Sequence, residues 1–213
     1  DSGAGRVLKM EEYMGRIFYM MGKSASGKDS IFQMLTSDRE LNLKTVTMYT
    51  TRPRRDGEQD GKEYFFRDEA FRIRMEQEGR LIECRTYETV CGPWSYFTLD
   101  DGQIETDQFS YLMIGTLESF ENTKNYFEKK GWNVLVPIYI CVEDGERLLR
   151  AVKREQLQTV PNYAEVCRRF LADEKDFSED RLKRCGIGKT FENRDLKTCA
   201  QAVKKMIIGE LCP

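Results

Sequence analysis

The chain has 213 residues, and its 34 lysines and arginines nearly balance its 36 aspartates and glutamates, for a formal net charge of −2. This length suffices for one compact domain with a sizeable core and one or two inserted units. The charge argues against a general nucleic-acid partner, because no basic excess is present to neutralise a phosphate backbone. The longest apolar runs are too short to span a bilayer, so no membrane partner is expected either.

Histidine is absent from the sequence, and the seven cysteines are scattered without C-x-x-C spacing. The lack of histidine excludes Ser-His-Asp catalysis, Cys-His catalysis and His-ligated metals. An odd number of cysteines and no signal peptide indicate free thiols in a reducing compartment, so we expect a cytoplasmic protein. Residues 1–14 carry Gly, Ser and charge without a period, which predicts a flexible arm or an expression remnant outside the fold.

The rest of the chain alternates between apolar runs typical of buried strands and amphipathic runs typical of helices. Strands are predicted at 16–21, 43–49, 64–66, 81–87, 96–99, 109–114 and 134–142, with a last short one around Phe191. Helices are predicted at 28–37, 68–79, 117–130, 146–159, 164–176 and 195–209. This alternation predicts an α/β fold with a mostly parallel sheet and helices on both faces.

A glycine-rich turn joins the first predicted strand to the first predicted helix. Its residues are Gly22, Lys23, Ser24, Ala25, Ser26, Gly27 and Lys28, followed by Asp29 and Ser30. Two glycines let the backbone point its N–H groups at an anion, and the helix N-terminus adds partial positive charge. Lys28 can reach the terminal phosphates of a nucleotide, so the turn predicts a phosphate-binding loop. An ordinary Gly/Ser turn is the alternative, which the flanking strand and helix disfavour.

Asp29 stands where such loops usually carry the Ser or Thr that holds Mg²⁺. Aspartate is a hard oxygen ligand, which makes Asp29 our candidate ligand for Mg²⁺. Ser30 or a water is expected to share the task.

The segment 50–64 is predicted to be a loop, because it combines Pro, two Gly and dense charge with no apolar period. Arg52, Arg55 and Tyr64 offer two guanidinium forks and a phenol, a set that suits a phosphate monoester. A solvated surface hairpin is the alternative. The phosphate loop upstream favours the binding site.

These two motifs together resemble the guanylate kinase family. They read G-x-S-x-S-G-K and T-T-R-x-x-R-x-G-E-x-x-G-x-x-Y, followed by an apolar pair and Glu83. The resemblance runs from Arg16 to the last helix, and the second motif is highly specific. It implies a P-loop three-layer fold that binds ATP and Mg²⁺, with an inserted nucleoside-monophosphate-binding unit and a mobile helical lid. The corresponding division is a core at 15–49, 102–145 and 185–213, an inserted unit at 50–101 and a lid at 146–184.

The resemblance also implies roles for particular residues of the inserted unit. Arg52, Arg55 and Tyr64 would grip the acceptor monophosphate. Glu58 would lie near the metal and the phosphates, and Glu83 would pair with the base.

The predicted lid is rich in arginine. Arg150 and Arg154 lie one helical turn apart, and Arg169 follows in the next predicted helix. In the family such arginines close over the transferring phosphoryl group and stabilise its charge. Without the resemblance, a basic helix face in water would be equally consistent. Asn193 resembles the family's adenine contact.

Several contacts that the family makes to the base are replaced in this sequence. Met48 stands where a serine helps to read guanine, Cys91 and Pro93 replace a tyrosine and a serine or threonine, and the strand ending at Gly115 lacks both acids of D-x-D. A site discriminates through buried polar groups that a wrong ligand leaves unpaired, so these losses predict altered base recognition.

Other residues are candidates for the missing contacts. Tyr87, Trp94 and Tyr96 form either a stacking wall for a base or the packing of a small sheet. Thr116 or Glu118 is a candidate replacement for a lost acid.

The sequence therefore predicts a phosphotransferase that moves the γ-phosphoryl group of ATP, with Mg²⁺, onto a nucleoside monophosphate, with GMP as the first acceptor. One alternative is a kinase for another nucleotide or a small phosphomonoester. The other is a non-catalytic guanylate-kinase-like binding module, which usually has a degraded phosphate loop. A monomer or a homodimer is expected.

Overall fold

A four-stranded parallel sheet lies at the centre of the molecule, which a computed structural model describes for residues 14–89 and 92–212. Its strands are, in spatial order, β6 (Tyr111–Ile114), β1 (Ile17–Met21), β7 (Leu135–Cys141) and β8 (Thr190–Glu192). All three neighbouring pairs run parallel. The predicted α/β class with a mostly parallel sheet is thus confirmed.

The central strand β1 is buried at all five positions, which explains its uninterrupted apolar sequence. Its side chains alternate between two cores because successive residues of a strand face opposite sides. Tyr19 packs on one side with Phe120 of α3 (Leu117–Lys129). Phe18 packs on the other side with residues of α1 (Lys28–Thr36) and α7 (Leu196–Leu211).

A second, smaller sheet lies within the stretch predicted to be an inserted unit. Its strands are, in spatial order, β3 (Phe65–Phe66), β2 (Tyr49–Thr50), β5 (Gly92–Leu99) and β4 (Leu81–Thr89). Helix α2 (Glu69–Gln77) is capped as expected, since the Asp68 carboxylate accepts a hydrogen bond from the Phe71 N–H. This sheet has its own apolar cluster around Tyr49 and Phe97. The exact domain boundaries remain a prediction.

Three helices follow β7 and cover most of the predicted lid. They are α4 (Asp144–Gln156), α5 (Tyr163–Asp176) and α6 (Glu179–Arg184). The first two agree with the predicted helices at 146–159 and 164–176, whereas the short α6 was not predicted. No helix in the described part of the chain is long and apolar enough to cross a membrane.

The predicted strand at 43–49 is wrong over most of its length. Only Lys44 forms an isolated bridge, to Tyr111, and the strand β2 begins at Tyr49. Between them, the Thr47 N–H donates to the side-chain oxygen of Gln103, and the Gln103 side-chain N–H donates to the Thr47 carbonyl. A side chain therefore satisfies the backbone that a neighbouring strand would otherwise pair.

The first 13 residues, most of the predicted arm at 1–14, lie outside the described part of the chain, and so does Cys91.

Candidate active site

The predicted phosphate loop lies at the carboxyl end of β1, where the chain turns into α1. Both of its glycines are sterically required. A Cβ atom at Gly22 would lie 2.5 Å from the Ile140 carbonyl oxygen. At Gly27, which has a φ of 83°, it would lie 2.3 Å from the Asn193 side-chain nitrogen. The loop can follow its path only with glycine at these two positions.

The loop presents polar groups that lack protein partners. Gly27 is the N-cap residue of α1 and supplies no side-chain cap to the first-turn N–H groups. The Ser26 hydroxyl is buried and has no hydrogen-bond partner among the described residues. A buried polar group normally finds a partner, so an oxygen-rich ligand fits this cradle.

Lys28 and Asp29 stand together at the start of α1. The Lys28 Nζ atom lies 3.5 Å from the Asp29 carboxylate, and the Asp29 side chain is 76% exposed. Both residues line the cavity described below. Ser30 is exposed and is not among the residues that line it.

A cavity of about 400 Å³ connects the phosphate loop with the second sheet. Lys28 and Asp29 lie at one end, and the far wall includes Tyr64, Arg85 and Tyr96. Met48, Gly115 and Thr116 also line it. The structure thus brings the phosphate loop and part of the predicted acceptor site to one space, together with two of the replaced family positions.

Arg52 is buried, and its guanidinium forms a two-pronged pair with Glu58. The Nη1 atom lies 3.0 Å from Glu58 Oε2, and the Nη2 atom lies 2.7 Å from Oε1. The Arg52 side chain, helped by the Arg55 backbone N–H, lowers the pKa of Glu58 to about 2. The Arg52 guanidinium also lies 5.7 Å from the Tyr64 ring centroid. Glu58 therefore orients Arg52 in this structure, while the Arg55 side chain is exposed.

Glu83 is buried, and Arg85 stands between it and the cavity. Arg85 Nε donates to Glu83 at 3.0 Å, and the Thr98 hydroxyl donates to the same carboxylate at 3.1 Å. Burial raises the pKa of Glu83, and the Arg85 guanidinium opposes that shift. Arg85 lines the cavity and Glu83 does not. Pairing of Glu83 with a base stays a prediction, which requires Arg85 to move aside.

Sequence reasoning missed Arg85, although a signal was present. Residues two apart on a strand share a face, so Glu83 and Arg85 form a same-face ion pair on β4.

A network of charges ties the predicted lid to the phosphate loop. Arg147 of α4 is almost fully buried and pairs with Asp144, Asp173 and Glu174. Lys23 of the loop pairs with Asp144 and Glu174. These contacts hold α4 and α5 against the loop. In the sequence Arg147 is one of several basic residues between positions 147 and 154, and no motif distinguishes it from the others.

Asp173 also makes a direct contact with the loop backbone. Its Oδ2 atom accepts a hydrogen bond of 2.8 Å from the Ser24 N–H. A carboxylate of the predicted lid thus occupies a backbone donor of the phosphate loop.

The three predicted lid arginines lie away from the main cavity, and two of them have other partners. Arg150 pairs with Glu146 and donates to the Asn193 carbonyl at 3.1 Å. Arg169 pairs with Glu165, and Arg154 is exposed. None of the three is among the described residues that line the cavity. Their catalytic role stays a prediction, which requires the lid to move.

Asn193 is buried and supports the phosphate loop from behind. Its side-chain nitrogen donates to the Ser26 carbonyl at 2.8 Å. A separate cavity of about 360 Å³ is lined by Asn193, Arg150 and Glu143. The predicted adenine contact therefore stands between the loop and an open space.

Of the predicted aromatic wall, Tyr87 and Tyr96 line the main cavity and Trp94 does not. The Tyr87 and Tyr96 ring centroids are 5.9 Å apart in an edge-to-face arrangement. Glu118 is exposed. Thr116 lies in the cavity wall and accepts a hydrogen bond from Arg85.

Comparison with known proteins gives one consistent result. The family model for guanylate kinase matches residues 14–92. A guanylate kinase of Porphyromonas gingivalis is 25% identical over 197 residues, which cover 91% of this chain and 97% of that protein. A guanylate kinase of Mycoplasma mobile is 41% identical over 146 residues, which cover 63% of this chain and 66% of that protein.

Among solved structures, a guanylate kinase from Anaplasma phagocytophilum matches with a TM-score of 0.61. The two chains are 18% identical, and the match covers 94% of this chain and 88% of the other. At this identity the likeness concerns the fold alone.

Proposed function

The chain belongs to the guanylate kinase family, and we propose that it transfers the γ-phosphoryl group of ATP to a nucleoside monophosphate. GMP is the first acceptor to test, since the relatives are guanylate kinases. The observation that carries this proposal is the single cavity that joins the phosphate loop to Tyr64 and the second sheet. A phosphoryl donor and a phosphate acceptor must meet in such a space.

The phosphate loop is the proposed site for the phosphates of ATP. The first-turn N–H groups of α1 and the buried Ser26 hydroxyl would donate to phosphate oxygens. Lys28 would neutralise charge on the terminal phosphates. Gly22, Lys23, Ser24, Ala25 and Gly27 would shape the loop, and Asn193 would contact the adenine.

The proposed site for Mg²⁺ is at the start of α1. Mg²⁺ usually binds one or two carboxylates together with phosphates and waters, and the exposed carboxylate of Asp29 is an oxygen donor at this position. No cluster of three or more acidic or thiol ligands occurs in the described part of the chain, so the phosphates and waters would complete the shell. Ser30 would act only through a water. When bound, the ion would neutralise charge on the phosphates.

Arg52, Arg55 and Tyr64 are the proposed grip on the acceptor phosphate. Arg52 is already fixed by Glu58 and by the neighbouring aromatic rings, so little side-chain freedom is lost when it binds. Arg55 is exposed and would order on binding. Glu58 would thereby act through Arg52, by holding its guanidinium plane.

Catalysis in this proposal consists of positioning and charge stabilisation, with no covalent intermediate. Arg150, Arg154 and Arg169 would move over the phosphates when the lid closes. That movement would break the present pairs with Glu146 and Glu165. Closure would also exclude water from the transferring group.

The test is an ADP-release assay with ATP, Mg²⁺ and a set of nucleoside monophosphates. Lys28→Ala should lower kcat by at least about a hundredfold, because it removes a cation that faces the transferring phosphoryl group. Lys183→Ala is the matched control, since Lys183 is exposed and pairs only locally on α6. Near-normal turnover by Lys28→Ala would exclude this mechanism.

A second candidate function is a non-catalytic binding module of the same fold. It is favoured by the Asp173 contact, which places a carboxylate where a phosphate would bind. A module without a nucleotide site should gain no thermal stability from ATP, whereas an enzyme should. An ATP-dependent rise in Tm without turnover on any nucleotide would point to a kinase for another phosphomonoester. The partners that we propose are small molecules, ATP and a nucleoside monophosphate. We expect the protein to be a cytoplasmic monomer or homodimer that binds neither nucleic acid nor membranes.

A further inference from the structure

The end of the main cavity away from the phosphate loop, called the base end below, is lined by Arg85, Tyr87 and Tyr96, whose side chains can all donate hydrogen bonds. Arg85 lies in its wall and is 8% exposed. Its guanidinium is held from behind by Glu83, through Nε at 3.0 Å and Nη2 at 3.4 Å. Because both contacts lie on the Glu83 side, the guanidinium is fixed in one orientation.

The guanidinium retains donor capacity toward the cavity. It carries five N–H groups, of which two are directed at Glu83 and one at the Thr116 hydroxyl. In this wall the Arg85 guanidinium also makes a hydrogen bond with the Tyr87 side chain, and its Nη2 atom contacts the Met48 sulfur, 3.9 Å away. Sulfur is a weak acceptor, so a ligand oxygen in this position would bind better.

Acceptors are scarce at the same end. Among the residues that the structure describes, the carboxylates that line the cavity are those of Asp29 and Asp173, and both lie at the phosphate loop, near Lys28 and the Ser24 N–H respectively. Glu83 is shielded by Arg85 and Thr98. Tyr87 and Tyr96 offer phenols, which can donate as well as accept.

This pattern matters because purines differ in the edge they present. Guanine carries an acceptor at O6 and a donor amino group at C2. Xanthine carries a carbonyl oxygen at C2 instead, so its edge has two acceptors on either side of one N–H. Hypoxanthine has no substituent at C2.

We propose that Arg85 is a specificity-determining residue that makes this cavity favour a purine with a carbonyl oxygen at C2 over one with an amino group. The inference rests on the proposed function, in which this cavity receives the acceptor nucleotide. In this proposal the C2 substituent faces Arg85, because Arg85 stands in front of Glu83, the residue that the family resemblance assigns to the base. An amino group at C2 would leave its own donors and those of Arg85 without acceptors, and buried unpaired polar groups are costly. A carbonyl oxygen accepts from the guanidinium and replaces the weak contact with Met48. GMP remains an acceptor, but a weaker one.

The experiment compares xanthosine, guanosine and inosine monophosphates. The rate of ADP release gives kcat/KM for each, and calorimetry gives the Kd of each without turnover. For the unaltered protein, kcat/KM should be about ten times larger for xanthosine monophosphate than for guanosine monophosphate. The kcat/KM for inosine monophosphate should lie between these two values.

Arg85→Ala tests the residue itself. This substitution frees the Glu83 carboxylate to accept from guanine, so the ratio should fall by clearly more than about tenfold, to a value below one that favours GMP. Arg72→Ala is the control, since Arg72 lies on α2, pairs with Glu69 and Glu76, and does not line the cavity. The ratio should not change in the control.

Loss of the buried pair could prevent Arg85→Ala from folding. The double variant Glu83→Gln/Arg85→Gln removes both buried charges, keeps the shape of the side chain at position 83 and leaves a shorter polar side chain at position 85, and it should lose the preference for either nucleotide. A preference of the unaltered protein for GMP, or an unchanged ratio in the variants, would overturn the inference while leaving the proposed function intact. Turnover on none of the nucleotides would overturn the proposed function, and the calorimetric ratio would then decide the inference alone.

Discussion

Asp173 occupies a backbone donor that the proposed function requires for phosphate. Its carboxylate accepts from the Ser24 N–H and pairs with Arg147 at 3.0 Å. Both the hydrogen bond and the ion pair involve charge, so they are stronger than neutral contacts. A phosphate that binds the Ser24 N–H must displace this carboxylate, and the helix α5 that carries Asp173, part of the predicted lid, must then move.

Replacing Asp173 should therefore strengthen ATP binding. Asp173→Ala frees the Ser24 N–H and loosens the lid, so the Kd for ATP should fall by about tenfold, the cost of displacing one charged hydrogen bond. Calorimetric titration with ATP measures this change directly.

Asp176→Ala is the control for that titration, because Asp176 lies on the same helix and pairs with Arg181 instead. Its Kd for ATP should be unchanged. Weaker ATP binding by Asp173→Ala would mean that the carboxylate assists the nucleotide instead of competing with it.

The helix α7 shows how one element stabilises the core without taking part in chemistry. Its buried residues, Cys199, Ala200, Val203 and Ile207, pack with Ile31 and Leu35 of α1 beneath the sheet. Since α1 begins at the phosphate loop, α7 supports the loop indirectly. The Asp195 side chain caps the helix by accepting from the Thr198 N–H.

Two adjacent isoleucines of α7 provide a matched test of this packing. Ile207 is fully buried, and Ile208 is 36% exposed. Ile207→Ala should lower the free energy of unfolding by about 2–5 kcal/mol, because it removes apolar contacts and leaves a cavity. Ile208→Ala should change it by less than about 1 kcal/mol. Urea unfolding measures both, and equal losses would contradict the described face of the helix.

The free energy of unfolding of the whole molecule should decrease as the pH becomes acidic. Arg52 lowers the pKa of Glu58 to about 2, and Arg168 and Arg169 lower that of Glu165 to about 2. A carboxyl group whose pKa is lowered in the folded state stabilises the protein at pH values above the ordinary pKa of that group, about 4.5. That contribution is lost as the pH falls from about 4.5 toward about 2, because the unfolded chain binds protons first.

The double variant Glu58→Gln/Glu165→Gln should therefore show a shallower loss of stability over this range. Urea midpoints measured between pH 6 and pH 3 would give the two slopes. The variant Glu88→Gln/Glu210→Gln, at two exposed positions, should keep the slope of the unaltered protein. Equal slopes in all three proteins would contradict the assignment.

Local features of the sequence determined the phosphate loop, the elements on either side of it and the start of α2. The apolar run before Gly22 and the amphipathic run after Lys28 predicted the strand, loop and helix that the structure has, because a loop with two obligatory glycines has few alternatives. Asp68 likewise predicted the start of α2. The spacing of Arg52 and Tyr64 indicated the family that the comparisons then supported. Such motifs can be recognised in the sequence because the structure of each depends on residues that are close to one another along the chain.

Contacts between distant segments were decided by the tertiary structure alone. Within the wrongly predicted strand at 43–49, the backbone of Thr47 is paired by the side chain of Gln103, which is distant in sequence. The sequence shows Arg147 only as one member of a basic cluster at 147–154, whereas the structure shows that it joins α4 to carboxylates of α5. The placement of Arg85 in front of Glu83 also depends on how β4 packs beside the core. The sequence sets which groups are present, and burial decides which of them a ligand can reach.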